Sequence, residues 1–219
     1  MPVADSAISH SPIALKRAGL MQYLDALDLQ RSLHREIAAG ARENTLLLLE
    51  HPSVFTAGKR TQMHERPSDG SLVIDVDRGG KITWHGPGQL VGYPIVRLAK
   101  PTELVGFVRE IEGALIAICG ELGLTTQRVD GRSGVWVVDS ASQRKIAAIG
   151  IRVASGVSMH GFALNIDPDL SAYDSIIPCG IDDASVTSLS KELGRSISTD
   201  EVLPIVEKHM YESLAKVSR

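Results

Sequence analysis

The sequence predicts one α/β (α+β) domain, a mixed β-sheet flanked by helices. Three observations carry that expectation. Residues 102–122 place apolar side chains at helical spacing. Strand-like apolar runs cluster in the middle of the chain, with helical segments before, among and after them. No repeat, low-complexity tract or long linker divides the 219 residues. A domain of this length buries roughly 70% of its unfolded surface, so its core needs no disulfide or metal staple.

The elements follow in chain order. The first ten or so residues read as a loose terminus. Tyr23, Leu24, Leu27, Leu33 and Ile37 predict a helix from about Met21 to Ala39. Thr45–Leu49 reads as a buried strand, ended by His51-Pro52. Residues 52–71 are polar and turn-rich and read as a surface loop, followed by a short strand at Leu72–Val76. Gly79–Gly92 holds five glycines and one proline, which excludes a packed helix there. Leu90–Val96 is the next strand. Leu104, Val108, Ile111, Leu115, Ile118 and Leu122 form one apolar helix face, stopped by Gly123. Strands are expected at Val135–Val138, Lys145–Val153, Met159–Ile166 and Ser185–Leu189. A last helix runs from about Thr199 to Ala215, capped by Ser198 or Thr199 with Asp200 and Glu201 in its first turn.

Composition narrows the function. The chain is 43% hydrophobic and 22% charged, with a net charge of -3 and scattered basic residues. That balance argues against a nucleic-acid or membrane-surface binder. Leu46–Leu49 is too short to span a bilayer. Met1–Leu20 lacks a basic start followed by an apolar stretch, so a cytoplasmic site and reduced thiols at Cys119 and Cys179 are expected.

The two thiols differ in context. Cys119 lies within the 102–122 helix and reads as a small buried hydrophobe, chemically inert. Cys179 sits in Ile177-Pro178-Cys179-Gly180, a turn in which a thiol is accessible. The N–H after it is free to hold a developing oxyanion. Residue type alone leaves an idle loop cysteine open as the alternative. Lys145, within Arg144–Gly150, either lies desolvated on the inner face of a sheet, where it would favour a neighbouring thiolate, or faces solvent on an edge. Arg78–Gln89 combines paired glycines with Arg78, His85 and Gln89 and reads as a ligand wall. His160, before Gly161, reads as a satisfied structural histidine. Other sites are set aside. Gly86-Pro87-Gly88 lacks the dinucleotide spacing and precedes a strand. Residues 53–60 lack the phosphate-loop pattern. The seven histidines show no metal spacing, and neither CxxC nor GxSxG occurs.

Taken together, Arg78–Gln89 (RGGxxTxHGPGQ), Lys145–Gly150, His160–Asn165 and Pro178–Ile181 (PCGI) resemble the octanoyltransferases of lipoate biosynthesis, also called lipoyl(octanoyl) transferases. The resemblance spans Leu46 to about Gly194, and Lys81–His85 is similar to the actinobacterial branch. It implies the biotin/lipoate protein ligase catalytic fold over the whole chain. It implies Cys179 as the acyl-thioester residue, with Lys145 lowering the pKa of that thiol. It further implies three substrate-lining segments: Arg78, Gly79, Gly80, Lys81, Ile82, Thr83, Trp84 and His85; Ala148, Ile149 and Gly150; Gly161, Phe162 and Ala163. The implied donor is octanoyl-acyl carrier protein. The implied acceptors are lysines of lipoyl domains in 2-oxoacid dehydrogenases and of the glycine-cleavage H protein. No cofactor, metal, ATP, nucleic acid or membrane is implied, and a monomer is the default. Acyl carrier proteins are acidic, which makes Lys59, Arg60 and Arg66 candidate docking charges. Two rivals remain: an ATP-dependent lipoate or biotin ligase, which would need no cysteine, and a non-catalytic binder of acyl carriers or lipoyl domains.

Overall fold

In β2 (Asn44–Glu50), four successive leucines are buried, because the strand has packed layers on both faces. Leu46 and Leu48 point into one apolar cluster, Leu47 and Leu49 into another. The computed structural model that shows this describes residues 12–140, 142–176 and 185–219.

The strand belongs to a mixed eight-stranded sheet. Its other members are β1 (Ile13–Leu20), β6 (Gln89–Ile95), β7 (Gln127–Val129), β8 (Arg132–Val138), β9 (Gln143–Ala154), β10 (Val157–Asn165) and β11 (Ser185–Val186). Their order is β1-β2-β6-β10-β9-β8-β7, with β11 pairing onto β9. The β1–β2 and β9–β11 pairs are parallel, and the other pairs in this sheet are antiparallel. Helices α2 (Leu104–Glu121) and α4 (Thr199–Val217) cover one face. Helix α1 (Tyr23–Ala38) covers the other through Ala26, Leu33 and Ile37. A second sheet, β4-β3-β5, is built from β3 (Val54–Ala57), β4 (Val73–Asp75) and β5 (Ile82–His85). All these layers enclose one domain, as the hydrophobic patterning predicts.

Several expectations need correcting. Ile13–Leu20 is an edge strand, unannounced because seven of its eight residues are exposed or half-buried and its apolar residues follow no strict alternation. Residues 52–71 are not merely a surface loop. They contain β3, in which Phe55, Thr56 and Ala57 are buried, and a 3-10 turn at Met63–Glu65 whose Glu65 is buried. Four residues are too few to display a period. In α2 the buried face is Phe107, Ile111, Ala114, Leu115, Ile118 and Cys119, while Leu104 is 39% exposed. The strand expected at Ser185–Leu189 ends at Val186. Ser188 then accepts the Lys191 N–H and caps a short helix, α3 (Leu189–Leu193). The expected loose terminus, about residues 1–10, lies outside the described residues.

One irregularity governs the site. In the β8–β9 pair, Val135 faces Ala147 but Trp136 faces Lys145. The extra residue, Ile146, makes a β-bulge, and Ile146 and Ala147 both enter the α2/α4 core. Lys145 and Ala148, three positions apart, consequently share the opposite face.

Candidate active site

That opposite face floors a cavity of about 280 Å³, roofed by β5 and the loop Arg78–Lys81. The three segments singled out by the sequence converge on it. Arg78, Gly80, Lys81, Thr83 and His85 line it from above. Lys145, Ala148, Ile149 and Gly150 of β9 line it from below, with Gly161, Phe162 and Ala163 of β10. Gly79, Ile82 and Trp84 do not reach it. In β5 the side chains alternate, so Thr83 and His85 face the cavity. Ile82 and Trp84 pack with Phe55 and Tyr173 instead. Gly79 donates its N–H to the Ile151 carbonyl at 3.1 Å, tying the loop to β9. A Cβ at Gly161 would lie 1.9 Å from the Gly92 carbonyl oxygen, so the floor is as close to the neighbouring strand as backbone allows.

Lys145 is 6% exposed. Its ammonium stands 4.6 Å from the centre of the Trp136 ring, a cation–π contact. No carboxylate lies within ion-pair distance of it among the described residues. Its backbone carbonyl accepts the Thr187 N–H at 2.9 Å, and Val186 is in register beside it. Of the two alternatives for this lysine, the inner face is the one found. Cys179 lies outside the described residues. Cys119 is buried in the α2 core, and burial pushes its thiol up to about 12.

Arg78 shapes the roof. Its guanidinium donates to the carbonyls of Gly79 (3.0 Å), Lys81 (2.8 Å) and Thr56 (2.9 Å), and to the Thr56 hydroxyl at 3.0 Å. The loop is thus held through backbone oxygens. His85 is fixed from the other side. Gln89 Nε2 donates to Asn165 Oδ1 (2.8 Å) and Tyr173 Oη (3.0 Å), so Gln89 Oε1 accepts from His85 Nδ1 at 2.7 Å. Burial, then the neighbouring His51, lowers the His85 pKa to about 3, and the ring is neutral.

Residues not singled out complete the wall. Tyr23 stacks on His85 with ring centroids 6.1 Å apart, and burial raises its phenol to about 12. Tyr93 donates to His51 Nε2 at 2.7 Å, while His51 Nδ1 donates to the Met21 carbonyl at 2.8 Å. Burial lowers the His51 pKa as well. Tyr23 and Tyr93 carried no motif. Their roles come from α1 and β6 meeting over the cavity, which a linear reading does not show.

His160, read from the sequence as a satisfied structural residue, is hydrogen-bonded through two of its three nitrogens and also stands in the cavity wall. It lines the cavity with backbone φ of 59°, a left-handed conformation rare for a side-chain-bearing residue. Its N–H donates to Gln30 Oε1 at 3.0 Å and its Nε2 donates to Asp77 Oδ1 at 2.7 Å. Among the described residues its buried Nδ1 has no hydrogen-bond partner. Burial lowers its pKa against the opposing pull of Asp77.

Charges at the mouth sort simply. Arg66 pairs with Asp75 and Lys81 with the buried Glu65. Lys59 and Arg60 are exposed, and Arg60 lines the opening. Among the described residues no three His, Cys, Asp or Glu side chains gather as a metal site, and no helix is long and apolar enough to cross a membrane.

Known proteins resemble this chain closely. The family model described as the lipoyl protein ligase A/B catalytic domain matches residues 22–211. An octanoyltransferase of Salinispora tropica is 58% identical over 200 residues, covering 90% of this chain and 94% of that protein. One from Mycobacterium sp. (strain KMS) is 59% identical over 208 residues, covering 94% and 87%. Among solved structures, the bipartite lipoate protein ligase of Thermoplasma acidophilum superposes with a TM-score of 0.69 at 16% identity, covering 94% of this chain and 84% of that one. A biotin protein ligase from Aquifex aeolicus gives 0.53 at 16% identity, covering 93% and 70%. These two share the fold with this chain.

Proposed function

The chain belongs to the lipoyl protein ligase A/B catalytic domain family, among its octanoyltransferases, and we propose that it moves an octanoyl group from octanoyl-acyl carrier protein, through a thioester on Cys179, to the lysine of a lipoyl domain. The acceptors are lipoyl domains of 2-oxoacid dehydrogenases and the glycine-cleavage H protein. The enzyme acts in the cytoplasm, as a monomer, without cofactor, metal or ATP.

The observation that carries this reading is Lys145. It is a buried ammonium in the wall of the pocket, beside an aromatic ring. Such a group favours a thiolate nearby and supplies a movable proton. In the first half-reaction the Cys179 thiolate forms a bond to the donor's carbonyl carbon. The carrier's sulfur leaves and takes a proton from the Lys145 ammonium. In the second, the amine of the acceptor lysine attacks the Cys179 thioester. Its surplus proton passes to neutral Lys145 as Cys179 departs as a thiolate, which restores the starting charges. Thioester to thioester is nearly balanced and thioester to amide is downhill, so no ATP is consumed.

Ala148, Ala163 and Val91 offer apolar surface to the acyl tail. Burying seven carbons beyond the carbonyl contributes roughly 5–6 kcal/mol at about 0.8 kcal/mol each. The neutral state of His85 suits that environment, since a charged imidazole would oppose an alkyl chain.

The deciding experiment gives the purified protein an octanoyl thioester and an acceptor domain, with and without ATP. Transfer without ATP supports the reading. Acyl-adenylate formation that requires ATP would make the protein a ligase. Absence of turnover in both would leave a binding protein.

A further inference from the structure

Helix α2 carries a carboxylate that the transfer chemistry does not use. Glu112 is 0% exposed and faces the sheet among Ile111, Leu115 and the rest of the α2 core. Its Oε2 accepts from Arg109 Nη1 at 2.7 Å and Arg128 Nε at 3.1 Å. Arg128 is itself bound to the Arg109 carbonyl at 2.7 Å. The other oxygen, Oε1, crosses to the sheet and accepts the backbone N–H of Gly134 at 2.9 Å.

Gly134 lies where both ladders of β8 are irregular. Between Gln127–Trp136 and Val129–Arg132, β7 advances two residues while β8 advances four. On the other side, the β8–β9 register slips between Val135 and Trp136, which is the bulge beside Lys145. An N–H at such a point lacks its regular ladder partner. Gly134 has φ of 106°, and a Cβ there would lie 2.4 Å from the Ala147 carbonyl and 3.5 Å from Lys145 Cε. The backbone of β8 therefore presses directly on the bulge and on the lysine stem.

Core stability alone does not call for a carboxylate here, because apolar side chains of similar volume commonly replace buried ion pairs without loss. What an apolar side chain cannot do is accept the Gly134 N–H. We propose that Glu112 is a positioning residue: by holding Gly134 it fixes the β8–β9 bulge and so aims Lys145 and its Trp136 platform into the cavity. The proposal rests on the role given to Lys145 under Proposed function.

The test uses the full chain and an octanoyl-carrier donor, in steady state and in single-turnover acylation. Glu112→Gln retains an oxygen for Gly134 and should keep kcat within about threefold of wild type. Glu112→Leu keeps the volume but no acceptor. It should lower kcat at least about tenfold with donor KM unchanged, as expected for a reacting group displaced by a fraction of an ångström. In a Lys145→Ala background the same change should cost nothing further, because both act through one group. A folded Glu112→Leu with wild-type kcat overturns the proposal, as do equal losses in the glutamine and leucine variants. Should the leucine variant not fold, Glu112→Gln decides alone. A protected Gly134 amide with near-wild-type kcat supports the proposal, and a tenfold loss of kcat with that amide still protected overturns it. If Lys145→Ala itself runs at wild-type rate, the role of Lys145 has failed. If only Glu112 proves silent, the positioning role alone has failed.

Discussion

Lys145 and Trp136 face each other across the β8–β9 bulge, with the ammonium 4.6 Å from the indole centre. A π-face steadies a buried cation less firmly than a carboxylate would, and it holds no proton of its own. The pair therefore sets the ammonium in the cavity wall against an aromatic face.

Lys145→Ala should slow acylation of the protein by about 10²–10⁴-fold at neutral pH, the usual share of a positioned acid–base group. Raising the pH should restore part of that first step by ionising the thiol directly. Aminolysis should stay slow. Lys145→Arg should keep the charge and fail in the second half, since arginine is no base. Rapid mixing with octanoyl-acyl carrier protein, followed by intact-protein mass spectrometry before and after adding acceptor, separates the halves. Normal rates in both halves of the alanine variant would remove lysine from the mechanism.

Cys179→Ala should abolish transfer, a loss on the order of 10³-fold or more. Cys119→Ala should leave most activity, since that thiol is buried in the α2 core. Steady-state rates of both variants, with folding checked by circular dichroism, decide it. Equal losses would count against Cys179.

Three buried histidines make stability depend on pH. His51, His85 and His160 all have folded pKa values lowered chiefly by burial. The unfolded chain, with imidazoles near 6.5, binds more protons than the folded one, so stability is fully present above about pH 6.5 and declines as pH falls below it. For His85 the decline continues down to about 3. At pH 5 its share is about 2 kcal/mol, from 1.36 kcal/mol per pH unit. Urea midpoints at pH 7.5 and 5 should differ clearly, and His85→Gln should narrow that gap.

Gly161→Ala should destabilise by about 1–3 kcal/mol or more, because a Cβ would sit 1.9 Å from the Gly92 oxygen. Its cavity-side position should also cost donor binding. A variant with wild-type melting temperature and KM would show that the floor relaxes.

Much of the fold was legible because it rests on periodicity. The leucine run of β2, the stripe of α2 and the Ser198 cap of α4 are local signals, and Ser198 does accept the Glu201 N–H. The elements that escaped were short or solvent-facing, as in β3, β7 and β1. The site divides in the same way. The segments around Arg78, Ala148 and Gly161 meet at one cavity, as their motifs imply. Tyr23 and Asp77 act on partners 62 and 83 residues away, Glu112 and Trp136 on partners 22 and 9 away across strand registers, and no spacing rule encodes such contacts.

The bulge at Ile146 carries one more consequence, for how this protein tolerates change. Side chains of a strand swap faces with every residue added or removed. Deleting Ile146 would restore a regular ladder with the apolar content of β9 almost intact. Lys145 and Ala148 would then stand two positions apart and keep one face, but β9 would lose the local bend and added twist that the extra residue gives it beside the lysine. At this point the chain encodes function in its length, and a scan made only of substitutions would pass over it.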